Sequence, residues 1–440
     1  MILSGWGRFP KLECRVTRPR SEAELRVLVA EGALIARGNG RSYGDAALSA
    51  RNTVDMRGFS KMLSFDAGTG VLVAEAGVLL ADVIAAFLPR GWFPLVTPGT
   101  KFVTLGGMIA ADVHGKNHHK DGSMAASVEW VEVMDGDGVV HRASATENPD
   151  LFGYTLGGMG LTGIILRAAI RLRRVVSAWI VQETLPAPNL AAAMALFEAS
   201  AEATYSVAWI DCLASGDSLG RSLVMLGEHA VPADLDNRRR ARPFVTPAKR
   251  RLTVPFDAPG FALNRYSVGA FNALYWRKGR RSAGRALVDW DSYFYPLDGI
   301  GHWNRIYGRK GFAQFQCALP LAASEPGLRA LLGEIAASGQ GSFLAVLKRF
   351  GAQDSRFSFP MEGYTLALDF PVNATTLALL DRLDAITLDH GGRFYLAKDA
   401  RMSAATLRRA DPRLPAFLAM RAAEGRARSF ASALSERLDL

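Results

Sequence analysis

The chain has 440 residues, 49% of them hydrophobic and 21% charged, a balance that supports two or three compact cores and excludes a disordered or low-complexity protein. Its formal charge of +10 calls for an anionic partner, such as a phosphorylated ligand, an acidic membrane surface or nucleic acid, without choosing among them. Three widely spaced cysteines, Cys14, Cys212 and Cys317, exclude a disulfide framework or a cysteine-based zinc cluster and fit a reducing compartment. The opening MILSGWGRFPKLECR lacks the apolar core of a signal peptide, and no apolar run approaches the roughly 20 residues that span a bilayer. A cytoplasmic protein is therefore expected, free or lying on the inner membrane face.

From Ala33 to about Val175, short strand-like runs alternate with glycine-bearing turns. Val71 to Ala74 reads as a strand, and Leu79 to Leu88 has the spacing of a helix ended by Pro89 and Gly91. Val128 to Met134, the turn DGDG from Asp135 to Gly138, and Val139-Val140 predict a hairpin. Asn148 reads as an N-cap before Pro149 at the first helical position. The loop TLGGMGLTG from Thr155 then leads into a strand at Ile164 to Leu166. Between about Ser177 and Gly392 aromatic density rises and strand-like pieces at Tyr205 to Ile210, Phe312 to Leu319 and Tyr364 to Phe370 separate helical stretches, which predicts a second unit with a mixed or antiparallel sheet. FYLAKDAR, Phe394 to Arg401, opens a closing segment of mostly helical text. The fold class expected is α+β.

Three loops concentrate the glycine: ARGNGRSYGDA (36 to 46), PGTKFVTLGGMIAADVHGKNHH (98 to 119) and TLGGMGLTGII (155 to 165). Glycine lets backbone N–H groups turn toward an anion and lets a flat or phosphorylated ligand approach the main chain. One such loop identifies no ligand; three in one unit, the first with Arg37 and Arg41 inside it, point to a large ligand carrying a diphosphate. Gly38-x-Gly40-x-x-x-Gly44 is not the GxGxxG spacing and no GxxxxGK[ST] occurs, so a Rossmann site and a P-loop both fit poorly. His114, His118 and His119 raise a metal reading, which Gly115 and Asn117 weaken by disfavouring a helix there and which no nearby carboxylate or cysteine completes. The alternatives are a loop histidine satisfied by its own surroundings and a residue that faces a bound ring.

These loops resemble the FAD domain of the vanillyl-alcohol-oxidase/PCMH flavoprotein superfamily. Within it, GWGR (5 to 8), RGNGRSYGD, PGT, HGKNHH, GLTGII, YPLD (295 to 298), WNRIYG (303 to 308) and AKD (397 to 399) resemble the decaprenylphosphoryl-ribose 2′-oxidase family over nearly the whole chain. The resemblance implies a PCMH-type FAD-binding domain of two α+β subdomains at 1–176, a substrate-binding cap domain at 177–392, and a segment at 393–440 that returns to the FAD domain. It implies FAD contacts from Ala36, Arg37, Gly38, Asn39, Gly40, Arg41, Ser42, Tyr43, Gly44, Asp45 and Ala46. Further contacts are implied from Gly99, Thr104, Leu105, Gly106, Gly107, Ala111, Asp112, Val113, His114, Ile165 and Tyr395. Covalent relatives attach the flavin through a histidine in the first loop; Arg41 stands there, so FAD is expected to be held non-covalently. For the first loop, a role confined to closing its own turn is the competing reading, above all for Ser42 and Tyr43.

Alcohol oxidation by a flavin delivers the carbinol hydrogen as hydride while the hydroxyl proton leaves, and a lysine desolvated beside the cofactor has its proton affinity lowered enough to assist. By the resemblance Lys398 has that place, as base or as anchor for a hydroxyl or phosphate, with His114 facing the flavin as a second catalytic candidate. Tyr295, Gln314, Gln316, Lys348, Thr365 and Ala367 fall at positions that line the substrate pocket. Relatives that react covalently with inhibitors carry cysteine where this chain has Ala367, and asparagine is expected where Thr365 stands, which bears on substrate detail and inhibitor response rather than on the oxidation.

RRRARPFVTPAKRR (238 to 251) sets seven cations around two prolines and runs into the aromatic-rich 255–278. Cations beside aromatics suit a surface where phosphates lie above acyl chains; a solvated loop before core aromatics and a lid over the sugar site are the other readings, and the prolines argue against a long helix here. The activity implied is FAD-dependent oxidation of the 2′-hydroxyl of a polyprenyl-phosphoryl-β-D-ribose to the 2′-keto sugar, with an NAD(P)H-dependent reductase as pathway partner completing epimerisation to the arabinose donor. A same-fold oxidase of a soluble alditol or sugar lactone is the alternative. From another class stands a non-catalytic basic protein of membrane surfaces or nucleic acid, although no zinc finger, RNP-like strand or basic helix supports nucleic acid.

Overall fold

The computed structural model describes residues 1–249, 252–342, 344–423 and 425–440. A small parallel sheet comes first: strand Ile35–Arg37 and strand Val16–Thr17 flank strand Thr53–Asp55. Helix Glu22–Ala30 packs nearby through Leu25 and Val29, and the Ser21 hydroxyl accepts from the Glu24 N–H at 3.2 Å to cap it. The first glycine loop leaves this sheet directly after Arg37.

A second sheet is antiparallel and six-stranded, built around strand Ile164–Arg174. That strand pairs with Val71–Glu75 on one side and Val128–Met134 on the other, and its far end pairs with Trp92–Pro94. Being central, its apolar run is buried on both faces, which is why IILRAAI does not alternate. Helix Leu80–Phe87 buries Leu80, Val83, Ile84 and Phe87, one face at helical spacing.

The third sheet has eight strands, all paired antiparallel, in the spatial order Gly284–Asp289, Trp179–Ala187, Ser222–His229, Tyr205–Ile210, Ala345–Phe350, Gly363–Pro371, Phe312–Pro320 and Arg393–Phe394. Side chains alternate between its faces. Phe315, Cys317, Leu347, Tyr364, Leu366 and Leu368 are buried in one hydrophobic core together with residues of helices Leu190–Ala199, Leu321–Ser338 and Ala374–Asp389. The intervening Gln314, Gln316, Val346, Lys348, Thr365 and Ala367 line a cavity on the opposite face. The three cysteines are free and buried, and among the described residues no helix is long and apolar enough to cross a membrane.

Three local readings change. Pro149 opens helix Pro149–Thr155, but Asn148 lies in the left-handed region and donates its side-chain N–H to the Arg142 carbonyl at 2.7 Å instead of capping the helix. A single helical turn, His118–Asp121, does form within HGKNHHKD, with His114 outside it. The aromatic stretch contains the 17-residue helix Arg265–Arg281, which begins only beyond Pro259, so the prolines displace the helix without preventing it. Of the seven cations in 238–251, Arg250 and Arg251 lie outside the described residues.

The carboxy-terminal segment closes back on the first loop. Arg437 donates to both carboxylate oxygens of Asp45, at 2.8 and 2.9 Å, and to the Met402 carbonyl at 2.6 Å. Asp45 is buried, so removing its partner leaves an uncompensated charge. Arg437→Met is expected to lower the unfolding free energy by about 3 kcal/mol, read from urea titration, and adding Asp45→Asn should recover part of that loss.

Candidate active site

A cavity of about 410 Å³ runs from the glycine loops to the polar face of the eight-stranded sheet. From the first loop it is lined by Ala36, Gly38, Asn39, Gly40, Arg41, Ser42, Tyr43 and Ala46; from the second by Gly99, Thr104, Gly106, Gly107, Ala111, Val113 and His114; beyond them by Ile165 and Tyr395. Gln314, Gln316, Lys348, Thr365, Ala367 and Lys398 line its other end. Residues separated by hundreds of positions thus converge on one volume.

Six residues implied by the resemblance do not line it. The Arg37 guanidinium turns away, donating to the Ser4 carbonyl at 2.8 Å and the Ala47 carbonyl at 3.3 Å. Asp45 is taken by Arg437 as described. Gly44 lies behind the loop, where an added Cβ would sit 1.9 Å from the Asp399 carbonyl oxygen. Leu105 is core. The Asp112 carboxylate accepts from Ser123 Oγ at 2.7 Å, the Ala125 N–H at 2.8 Å and Gln353 Nε2 at 2.9 Å. Tyr295 is buried among Trp290, Phe294 and the Lys101 ammonium; its neighbours Phe294, Pro296 and Leu297 reach the cavity instead.

At the glycine-lined end main chain is open to a ligand. An added Cβ on Gly38 would stand 2.1 Å from Thr104 Oγ1, so the first and second loops meet only because a side chain is missing there. A Cβ on Gly99 meets nothing within 4 Å. Arg41 stacks on the Trp6 ring at 4.1 Å and faces Phe102 at 5.4 Å, and its buried Nε has no hydrogen-bond partner among the described residues. The arginine therefore brings an unsatisfied donor to the cavity wall, suited to a phosphate or carbonyl oxygen.

At the other end His114 Nε2 lies 3.1 Å from Gln316 Nε2, and Gln316 Nε2 also donates to Thr365 Oγ1 at 3.2 Å. The amide is the donor, so His114 Nε2 accepts and the proton resides on Nδ1, which is buried beside the Gly115 carbonyl. Burial first, then the positive charges of Lys348, His118 and Lys398, drive the His114 pKa well below 6.5. His118 Nε2 bonds Gln353 Oε1 at 2.7 Å and His119 Nε2 the Ala203 carbonyl at 2.8 Å. The three imidazoles thus face three different partners, and among the described residues no three histidine, cysteine or acidic side chains are grouped to hold a metal.

Lys398 Nζ rests 3.5 Å above the centre of the Tyr43 ring. Burial lowers its pKa, the nearby Asp369 raises it, and Lys348 lowers it further. Lys348 itself is lowered to about 8 by burial, and Lys116, whose ammonium donates to the Tyr293 carbonyl, to about 7 by burial and the charge of Lys348. Basic amines with weakened proton affinity therefore line a largely apolar recess.

The profile of a family described as "FAD binding domain" matches residues 15–144. Over 100% of this chain and 97% of the relative, the sequence is 35% identical to a decaprenylphosphoryl-beta-D-ribose oxidase of Mycolicibacterium smegmatis. The chain belongs to the decaprenylphosphoryl-ribose oxidase family. It is an FAD-dependent oxidoreductase of α+β fold. A Streptomyces coelicolor protein described as "Uncharacterized protein in mprA 5'region" is 36% identical over 82% of this chain and 99% of its own length. Cytokinin dehydrogenase 4 of Arabidopsis thaliana is 33% identical over 22% of this chain and 18% of the relative, a match too short to carry an argument about this chain's activity.

In this family member the cavity has further walls that sequence reasoning missed: Trp6, Lys116, Trp209, Tyr275, Asp298 and Trp303. Trp6, Asp298 and Trp303 lie in GWGR, YPLD and WNRIYG, and Lys116 in HGKNHH, so the motifs contained them. Trp209 and Tyr275 come together only through packing, ring to ring at 4.8 Å.

His114 should stay in its Nδ1-protonated neutral form as the pH falls through the usual imidazole range, because burial and the charges of Lys348, His118 and Lys398 oppose a second proton. Long-range ¹H–¹⁵N spectra of histidine-labelled protein, assigned with His114→Gln, check this; a titration midpoint near 6.5 would contradict it.

Proposed function

We propose that the protein oxidises the 2′-hydroxyl of a polyprenyl-phosphoryl-β-D-ribose to the 2′-keto sugar. The observation that carries this reading is that one cavity combines two kinds of wall: His114, Gln316, Thr365, Lys348 and Lys398 supply polar and basic groups, and Trp209, Met225, Tyr275, Leu297 and Trp303 supply apolar surface. A sugar phosphate fits the first group and the start of a prenyl chain the second. The relative that shares the full length of the chain bears a name with the same substrate class.

FAD, when bound, supplies the two-electron acceptor for this oxidation. The proposed contacts are the lining residues of the glycine loops together with Ile165 and Tyr395. Attachment is non-covalent in this reading, supported by Arg41 in the first loop and by three cysteines that do not line the cavity. Lys398 Nζ takes the hydroxyl proton, Lys348 and Gln314 hold the sugar phosphate and hydroxyls, and Gln316 fixes the His114 ring. The product, a keto sugar still bearing its lipid, is the substrate of a separate NAD(P)H-dependent reductase.

A lipid-linked substrate has to be drawn from a membrane, and one surface suits that task. Helix Arg265–Arg281 packs inward through Val268 and Asn272, whose side chain donates to Asp211 Oδ1 at 2.7 Å. Its outer side leaves Tyr266 80% and Leu274 65% exposed, beside Phe261 at 79%. Arg265, Arg277, Lys278, Arg280 and Arg281 lie on the same helix, which has no acidic residue. Aromatic groups set among cations match an anionic leaflet, each cation there contributing about 1 kcal/mol.

Two measurements test this reading. Anaerobic holoprotein mixed with synthetic prenyl-phosphoryl ribose is expected to lose its flavin absorbance and yield the 2′-keto product, and Lys398→Met to slow that bleaching by at least about 100-fold; bleaching by a free alditol alone would transfer the activity to a soluble substrate. In co-sedimentation, vesicles containing phosphatidylglycerol should retain the protein, and the triple variant Phe261→Ser, Tyr266→Ser, Leu274→Ser should remain in the supernatant.

A further inference from the structure

We propose that Asp369 is the counter-ion of Lys398, a positioning residue that keeps the Nζ amine able both to accept a proton and to release it near neutral pH. The proposal rests on the assignment of Lys398 to the reaction centre, but its test requires no substrate. Asp369 follows Thr365 and Ala367 on strand Gly363–Pro371 at the two-residue period, so it belongs to the same sheet face as the cavity lining. Unlike them it is sealed off, with 0% exposure. Its Oδ1 accepts from the side-chain N–H of Gln314, the residue directly opposite it in register, and its own N–H donates to Ser342 Oγ at 3.0 Å. Its Oδ2 has no hydrogen-bond partner among the described residues.

A buried carboxylate with a bare oxygen is costly unless a cation stands near it. The titratable groups around it come from different elements: Lys398 from the segment after Phe394, Tyr43 from the first loop, and Tyr307 from the turn Trp303–Tyr307. Lys398 is the cation among them, and among the described residues Asp369 is the acid whose charge raises the proton affinity of Lys398. Tyr43 joins the two, since Lys398 Nζ sits on its ring and its hydroxyl faces Gln314, which holds Asp369.

The physical role follows from opposing terms. Burial and the like charge of Lys348 both push Lys398 toward the neutral amine, and Asp369 is what opposes them. Without the carboxylate, Nζ would accept the hydroxyl proton poorly and hold it briefly. With it, the ammonium formed when the substrate O–H bond breaks and the N–H bond forms is stabilised by a buried charge of opposite sign close enough to raise its proton affinity. A group whose proton affinity lies near the working pH is the effective one for such transfer. The influence is reciprocal: burial raises Asp369 and Lys398 lowers it.

The test is NMR of the holoprotein carrying [6-¹³C]lysine, with the Lys398 resonance assigned by its loss in Lys398→Met. Asp369→Asn should lower the Lys398 titration midpoint by about one pH unit or more, a tenfold loss of proton affinity, and Asp369→Glu should restore most of it. An unchanged or higher midpoint in Asp369→Asn overturns the proposal. If Asp369→Asn fails to fold, [4-¹³C]aspartate decides: Lys398→Met should raise the Asp369 midpoint, and a midpoint unmoved by loss of the lysine overturns the proposal equally. An Asp369 that served only its hydrogen bonds to Gln314 and Ser342 would leave both midpoints where they were. Because no sugar is added, failure here and failure of the substrate assignment remain separate results.

Discussion

The main chain of the first glycine loop is held from both sides by backbone hydrogen bonds. The N–H groups of Trp6 and Gly7 donate to the Ser42 and Tyr43 carbonyls at 2.8 and 3.0 Å, and the Tyr43 N–H donates to the Ala397 carbonyl at 2.9 Å. The Phe312 N–H in turn reaches the Gly7 carbonyl at 2.7 Å, tying the same layer to the eight-stranded sheet. Main chains can approach this closely only where Cβ atoms are missing, and Gly5, Gly7 and Gly44 each supply that absence. The parallel sheet, the eight-stranded sheet and the carboxy-terminal segment are thereby joined at one loop, and the shape of the cavity depends on that junction.

The junction also positions basic groups of the cavity wall. Lys398 follows Ala397, whose carbonyl is one of the clamp's acceptors, so the backbone that closes the loop also delivers the amine onto the Tyr43 ring. Lys348 arrives from another strand, opposite Thr365 in register. Three lysines and a histidine are thus gathered at one cavity, with Asp369 as the acid set behind Lys398. Such an arrangement is unfavourable for the empty protein and favourable for an anionic ligand, because the ligand replaces water as the partner of the cations. Stability is given up where binding needs it.

Much of the architecture is readable in the sequence. The central strand at Ile164, the hairpin around DGDG and the antiparallel strands at Tyr205, Phe312 and Tyr364 are where hydrophobic period and turn residues put them. The cavity lining from the first loop was legible from glycine spacing and family likeness. Arg37 and Asp45 were misleading for one reason: a charged residue in a binding motif can serve the motif's own fold, and each is occupied by a partner that sequence proximity does not reveal, Ser4 for one and Arg437 for the other. Asn148 misled differently, because its side chain had a competing carbonyl within reach.

By itself the sequence determined what depends on local pattern: the α+β alternation, the glycine loops that allow close backbone approach, an arginine where a histidyl flavin bond would need histidine, and the lysine in AKD. Tertiary structure decided what depends on distance across the chain. It set which loop residues face the cavity, turned the His114 ring toward Gln316, brought Trp209 against Tyr275, and placed Asp369 behind the wall with one oxygen bare. The physical reason is that side-chain period fixes a residue's face within its own strand or helix, whereas burial, proton affinity and pairing are set by neighbours that only folding supplies.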